Sequence, residues 1–388
     1  MPTQLMVTAP FLPPLDEFVP YLEEIWKRQW LTNNGPLHQQ FEQELATYLG
    51  VPFVSLFNNG ETALIVALKA LDVSGEVITT PFSFVGTATA ILWAGLEPVF
   101  ADVDAASFNL DPAAVQRKIT SRTAAILPVH CFGHPVDTAG MAAIAAETNI
   151  AIVYDAAHAF DVKYRGQSLL LPGELSILSF HATKVFSTFE GGAIVSHTPE
   201  MKRRIDLLKN FGIADELTVE LSGLNGKMSE FQAALGLVQL RYVSQAREAR
   251  RRVADAYRQL LTAVPGISLP VATPHTEPNF GYFPILVEGD GPAARDALYE
   301  ALKRQDIFGR RYFYPLISDT TPFRSNPSAQ GPLPVARRVA DRILCLPISA
   351  SMHEQDAERV ALGIAQHQRT HAPELAANLQ PEPPLHGR

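Results

Sequence analysis

Lys184 sits in the run SFHATKVFSTFEGG, residues 179–192. The run leaves one apolar stretch, carries the lysine, and reaches a Gly-Gly pair before the next. A lysine held among apolar neighbours loses hydration, which disfavours its ammonium form. Its amine is then a nucleophile able to form a Schiff base with a carbonyl. Gly191 and Gly192 permit close approach of the backbone to a ligand. A surface lysine after a strand accounts for the same residues equally well.

Three other segments offer complementary chemistry. Asp155 ends the apolar run IAIVYD, and α/β sheets bind ligands at the carboxyl ends of their strands. A carboxylate there can hold a proton on a ring nitrogen, with His158 three residues on, or it can simply cap the next helix. Asn59, Gly60 and Glu61 form a strand–turn–helix whose first amides make an anion site, or an ordinary Asn-Gly turn. Phe84, in PFSFVGT, offers a stacking face for a planar ring, or a core aromatic.

All four segments follow β-rich runs. These runs lie at 53–57, 76–80, 97–103, 123–130, 150–155, 175–180 and 191–197, with helix-length stretches at 61–72, 85–95 and 137–148. Their near-continuous apolarity suits strands covered on both faces. The alternation predicts an α/β fold with a mainly parallel sheet. The four segments then share one edge of that sheet. An amine, an acid, a phosphate nest and a stacking face are together what pyridoxal 5′-phosphate (PLP) requires.

Phe41, Leu45, Tyr48 and Leu49 mark an amphipathic helix that Gly50 ends. Residues 228–262 read as one or two long helices. Beyond them an α+β pattern follows, with strands near 282–287 and 308–313 and helices near 292–304 and 353–367. The expected division is a large domain over 1–250 with an N-terminal arm, a small C-terminal domain over 251–370, and a disordered tail over 371–388.

The 388 residues carry 32 Lys and Arg against 40 Asp and Glu, a net charge of −8. An acidic chain is a poor non-specific binder of nucleic acid or anionic membrane, and neither partner is expected. Cys131 and Cys345 alone cannot build a disulfide framework or a four-thiolate zinc site. His130, Cys131 and His134 lack a clear fourth ligand, so no metal is expected. Gly226-Lys227 misses the rest of a P-loop, and no Gly-x-Ser-x-Gly elbow occurs. No basic-then-apolar leader opens the sequence and no 18-residue apolar run occurs, so a cytoplasmic setting is expected.

The chain resembles the DegT/StrS group of PLP-dependent sugar-nucleotide aminotransferases over about residues 8–368. The motifs that carry the resemblance are SFHATK…EGG and DAAHA, with WLTNNGPLHQQFE at 30–42, PVHCFGHPVD at 128–137, NGKMSEFQAALG at 225–236 and RRYFYPL at 310–316. The resemblance implies fold type I of the PLP-dependent transferases. It implies Lys184 as the cofactor-linking lysine, Asp155 as the ring-nitrogen partner and His158 beside the ring hydroxyl. Ser179 then contacts the phosphate and Phe84 stacks on the ring. Asn225 reaches the phosphate in a neighbouring subunit, which implies a homodimer with shared active sites. The family's Gly- or Ala-Thr pair is Gly60-Glu61 here; backbone amides remain, and Thr62 is the candidate substitute hydroxyl.

The activity implied moves an amino group from L-glutamate to a 4-keto-6-deoxy sugar nucleotide, dTDP-4-keto-6-deoxy-D-glucose foremost. Other keto-sugar nucleotides, and a non-catalytic regulator on the same fold, are the alternatives. Lys184 argues against the dehydratase branch of the family, which has His at that place.

Overall fold

The computed structural model describes residues 4–289 and 291–378. Its centre is a seven-stranded sheet. We label its strands β1 (Phe53–Phe57), β2 (Glu76–Thr79), β3 (Glu97–Phe100), β4 (Thr123–Leu127), β5 (Ala151–Asp155), β6 (Leu175–Ser179) and β7 (Gly192–Ser196). Their order across the sheet is β1-β7-β6-β5-β4-β2-β3. All neighbours are parallel except β7, which runs antiparallel to both β1 and β6. Each strand matches an expected run, trimmed at the ends where the chain turns toward the cavity.

The sheet is buried on both faces, as its sequence requires. The helix Gly60–Ala70 packs Ala63, Leu64 and Ala67 against Val77 and Ile177 on one side. The helix Thr138–Thr148 packs Met141 and Ile144 against Ile126 and Ile152 on the other. The helix Pro36–Leu49 buries Leu37, Phe41, Leu45 and Leu49 at four-residue spacing. Gly50 ends it at φ +64°, a conformation glycine adopts without strain, and its N–H returns to Ala46 and Thr47.

A smaller sheet joins Ile267–Ser268, Phe283–Val287 and Ile343–Leu346, all antiparallel, under helices Gly291–Lys303 and Glu354–Asn378. The boundary expected at residue 250 falls inside the unbroken helix Val243–Leu261. Val243 packs in the large core, whereas Val253, Tyr257 and Leu261 pack in the small one. The first residues also belong with the small unit, because Leu5–Met6 pairs with Ile307–Phe308. An aromatic cluster, Phe82, Phe132 and Phe313 among its members, knits the two units together.

Two expectations change here. The strand expected over 308–313 shrinks to Ile307–Phe308 with an isolated bridge from Arg310 to Cys345, because Tyr312 and Phe313 turn away from the sheet edge to wall the cavity. The tail expected from 371 begins inside the helix Glu354–Asn378. Residues 379–388 lie outside the described residues.

Candidate active site

The carboxyl ends of β1, β2, β5 and β6 converge on one cavity of about 620 Å³. Asn59, Gly60, Glu61, Phe84, Asp155, His158, Ser179 and Lys184 all line it. The shared edge expected from the sequence therefore exists, and the separate segments meet there.

Asp155 forms the floor as the last residue of β5 and is buried. Its Oδ2 accepts a hydrogen bond from the Thr87 hydroxyl at 2.8 Å, and its Oδ1 one from the Ala157 N–H at 3.1 Å. Burial raises its pKa; the Thr87 and Ala157 hydrogen bonds and the nearby Lys184 oppose that. No ion pair reaches this carboxylate among the described residues, so a cationic N–H group in the cavity would suit it.

His158 is neutral, because burial pushes its pKa well below the usual range. Its Nδ1 accepts the Phe132 N–H at 3.2 Å, which leaves the ring hydrogen on Nε2. The ring lies parallel to Phe132 and Phe313, with centroids 6.3 and 5.9 Å away. Tyr282 packs on it at 4.5 Å. The imidazole is thereby fixed as a hydrogen-bond donor.

Lys184 follows β6, and its Nζ donates to the Tyr282 hydroxyl at 3.2 Å. Burial lowers its pKa to about 8, with Asp155 and Cys131 only partly opposing. Among the described residues no carboxylate lies within ion-pair distance of it. A useful fraction of its amine is therefore uncharged near neutral pH.

The fourth part is the start of the helix Gly60–Ala70. Asn59 caps it, Oδ1 accepting the Thr62 N–H at 2.8 Å, and its first amides have no partner within the helix. A Cβ on Gly60 would lie 2.8 Å from the Ser179 Cβ, and one on Gly192 would lie 2.7 Å from the Asn59 backbone. Only bare backbone lets β1, β6 and β7 close around this point. Amides and a hydroxyl then face one spot, which suits a phosphate. Glu61 lines the cavity. The Thr62 methyl lies beside Gly226, and Thr62 is not among the residues lining the cavity.

Phe84 stands on the rim and is 62% exposed. The loop carrying Glu190 is tied down by Gln232, whose Nε2 donates to the Glu190 carbonyl at 2.6 Å. Gln232 in turn completes a capping box with Ser229 at the start of the helix Glu230–Leu240. Asn225 does not line this cavity. Its Oδ1 accepts from Lys227 Nζ at 2.8 Å, and its carbonyl from Asn58 Nδ2 at 3.4 Å.

Sequence reasoning missed Thr87, Tyr282 and Phe313. Thr87 lies in the PFSFVGT stretch, four residues beyond Ser83, with which it shares a 2.9 Å hydrogen bond. Tyr282 arrives from the small sheet with no local signal. Arg310 and Tyr312 of the RRYFYPL stretch line the cavity, while Arg311 pairs with Asp296 at 2.9 Å.

A desolvated amine facing a buried acid at one edge of such a sheet defines a transaminase of fold type I. The chain belongs to the DegT/DnrJ/EryC1/StrS aminotransferase family, which it matches over residues 15–365. It is 50% identical to dTDP-4-amino-4,6-dideoxy-D-glucose transaminase of Shigella dysenteriae, over 93% of this chain and 98% of that protein. It is 49% identical to the Escherichia coli protein of that name, over 90% of this chain and 95% of that one. Among solved structures, DesI in the presence of its TDP-sugar product superposes with a TM-score of 0.91 at 33% identity, covering 97% of this chain and 96% of DesI.

Proposed function

We propose that the chain aminates dTDP-4-keto-6-deoxy-D-glucose to dTDP-4-amino-4,6-dideoxy-D-glucose, with L-glutamate as donor and PLP as resident cofactor. The observation that carries the reading is that Lys184 and Asp155 open into one cavity, the amine depressed to a pKa of about 8 and the acid in no ion pair among the described residues. The sugar follows from the name carried by the two relatives near 50% identity.

The residues fit this cofactor. The carboxylate of Asp155 matches a protonated pyridine nitrogen, and the Nε2–H of His158 a ring oxygen. The amides of Gly60 and Glu61, with Ser179, match the phosphate, and a Cβ at Gly60 would crowd that place. Phe84 supplies a face. Bound there, PLP supplies an aldehyde for amines and a ring that accepts carbanion electrons.

The protein's own steps follow. Asp155 keeps the ring nitrogen protonated, and Thr87 holds Asp155 in place. His158 donates without changing charge, because its Nδ1 is already committed. Lys184 Nζ accepts the proton leaving Cα of glutamate and later delivers one to C4 of the sugar.

The reading includes a cytoplasmic homodimer. Asn225 faces away from the cavity of its own chain, and Phe84 and Trp93 stand exposed, as a subunit contact would use them. The test is purified protein with PLP, L-glutamate and a panel of keto-sugar nucleotides, the products read by mass spectrometry and NMR. The expected product carries an amine at C4 in the gluco configuration. Amination of a 3-keto sugar alone, or of none, overturns the proposal.

A further inference from the structure

We propose that Arg310 is the anion receptor for both substrates, taking a carboxylate of L-glutamate in one half-reaction and the diphosphate of the sugar nucleotide in the other. The inference rests on the reading of the activity given above and names the group that would recognise its two substrates.

Both substrates present anionic groups, carboxylates on glutamate and a diphosphate on the sugar nucleotide, yet the cavity brings its own negative charge. Glu61 and Glu190 line its walls and Asp155 its floor. Among the described residues, only two lining side chains are Lys or Arg: Lys184 and Arg310. Lys184 is committed to the chemistry. Arg310 is then the one fixed cation left to hold an incoming anion against the surrounding carboxylates.

The neighbouring arginine shows what a structural role looks like. Arg311 is tied to Asp296 at 2.9 Å, whereas Arg310 makes no ion pair among the described residues and is exposed. Its backbone is nonetheless fixed. The Arg310 N–H donates to the Cys345 carbonyl at 3.0 Å, and the Cys345 N–H to the Arg310 carbonyl at 2.7 Å. A Cβ at Gly309 would come within 2.9 Å of that Cys345 carbonyl, so glycine keeps the contact tight.

The guanidinium lies 5.7 Å from the centre of the Tyr312 ring. Tyr312 packs edge-on against Tyr282 at 6.1 Å, and Tyr282 accepts the hydrogen bond of Lys184. The free charge is thus carried on an aromatic pair that ends at the reacting amine. A guanidinium fork binds carboxylate or phosphate through two parallel hydrogen bonds. In a ping-pong reaction the two substrates never occupy the cavity together, so one fork serves both.

The test compares wild type with Arg310→Gln and Arg310→Lys, all loaded with PLP. Each half-reaction is followed separately in single turnover, and the affinities for dTDP and for glutarate are measured by calorimetry without turnover. Arg310→Gln should lower kcat/KM of both half-reactions by about 10- to 100-fold, mainly through KM, as loss of a charged hydrogen-bonding partner does. The affinities for dTDP and glutarate should fall by similar factors, and Arg310→Lys should restore part of each. Cofactor absorbance should match wild type, showing an intact site. One half-reaction left at wild-type efficiency, or an unchanged affinity for either anion, overturns the proposal. A wild-type enzyme that fails to turn over would strike the functional reading alone, and the two affinities would still decide the role of Arg310.

Discussion

Two lysines sit against the central sheet, Lys209 buried and Lys184 half-buried, and they are held in opposite states. Lys209, 8% exposed at its side chain, lies 3.2 Å from Glu42 and 2.8 Å from Asp206. Burial pulls its pKa down, but Glu42 and Asp206 outweigh that and hold the ammonium above the usual range. Lys184 has a tyrosine hydroxyl and no carboxylate at that distance, and burial takes its pKa to about 8. Residue type and desolvation are shared; the distance to a carboxylate separates them. Lys209 helps close a network in which Glu42 also accepts the Leu56 N–H and Asp206 the Ser55 hydroxyl. That network clamps the helix Pro36–Leu49 onto β1. Lys184 clamps nothing and remains available for reaction.

Removing each lysine should therefore damage different properties. Lys184→Ala should cut transamination by at least about 1,000-fold, the scale of a lost acid–base group, while thermal unfolding stays close to wild type. Turnover within tenfold of wild type would remove Lys184 from its role. Lys209→Met should do the reverse. It leaves two carboxylates sharing Lys202 and should destabilise the fold by about 3 kcal/mol in denaturant titration, with turnover per folded molecule retained. A loss of turnover without loss of stability would erase the contrast.

The smallest effect is the pH dependence of stability, and here the two lysines have opposite signs. The folded pKa of Lys184, about 8, lies below the ordinary 10.5. Between those values the unfolded chain holds the extra proton, so stability rises with pH. Lys209 is held above 10.5, so its contribution is complete below that value and declines only at higher pH. In cofactor-free protein, wild type should gain stability relative to Lys184→Met from pH 7.5 to 10.5. The deficit of Lys209→Met should stay level over the same range. Parallel trends would show that a carboxylate partner is not what distinguishes the two.

The same contrast explains what was readable in the sequence. Lys184 and Asp155 follow apolar runs whose strand character is local, so their place at the sheet edge was legible, and so was the helix start at Gly60. The partners that tune them were not. Thr87 reaches Asp155 across 68 residues, and Tyr282 reaches Lys184 across 98. Nothing in NFGYF announces a cavity, because the small sheet must first dock on the large one. Arg310 and Arg311 are adjacent and chemically alike; Asp296 alone tells them apart. Asn225 could be matched to a motif, yet it does not line the cavity of its own chain. The division expected at residue 250 falls within the unbroken helix Val243–Leu261, because a continuous amphipathic pattern does not show that one helix spans two cores.

The reversed strand β7 has a further consequence. Because it enters the sheet opposite Ser179 and Phe57, the stretch between β6 and β7 departs from and returns to the same rim. It is a short bridge moored at both piers, and the amine at its centre has little room to wander before any ligand arrives. Splicing extra residues into this span would slacken it and cost reactivity out of proportion to the change in fold, whereas the same splice beyond Ser196, on the far shore of the sheet, would leave the chemistry in place.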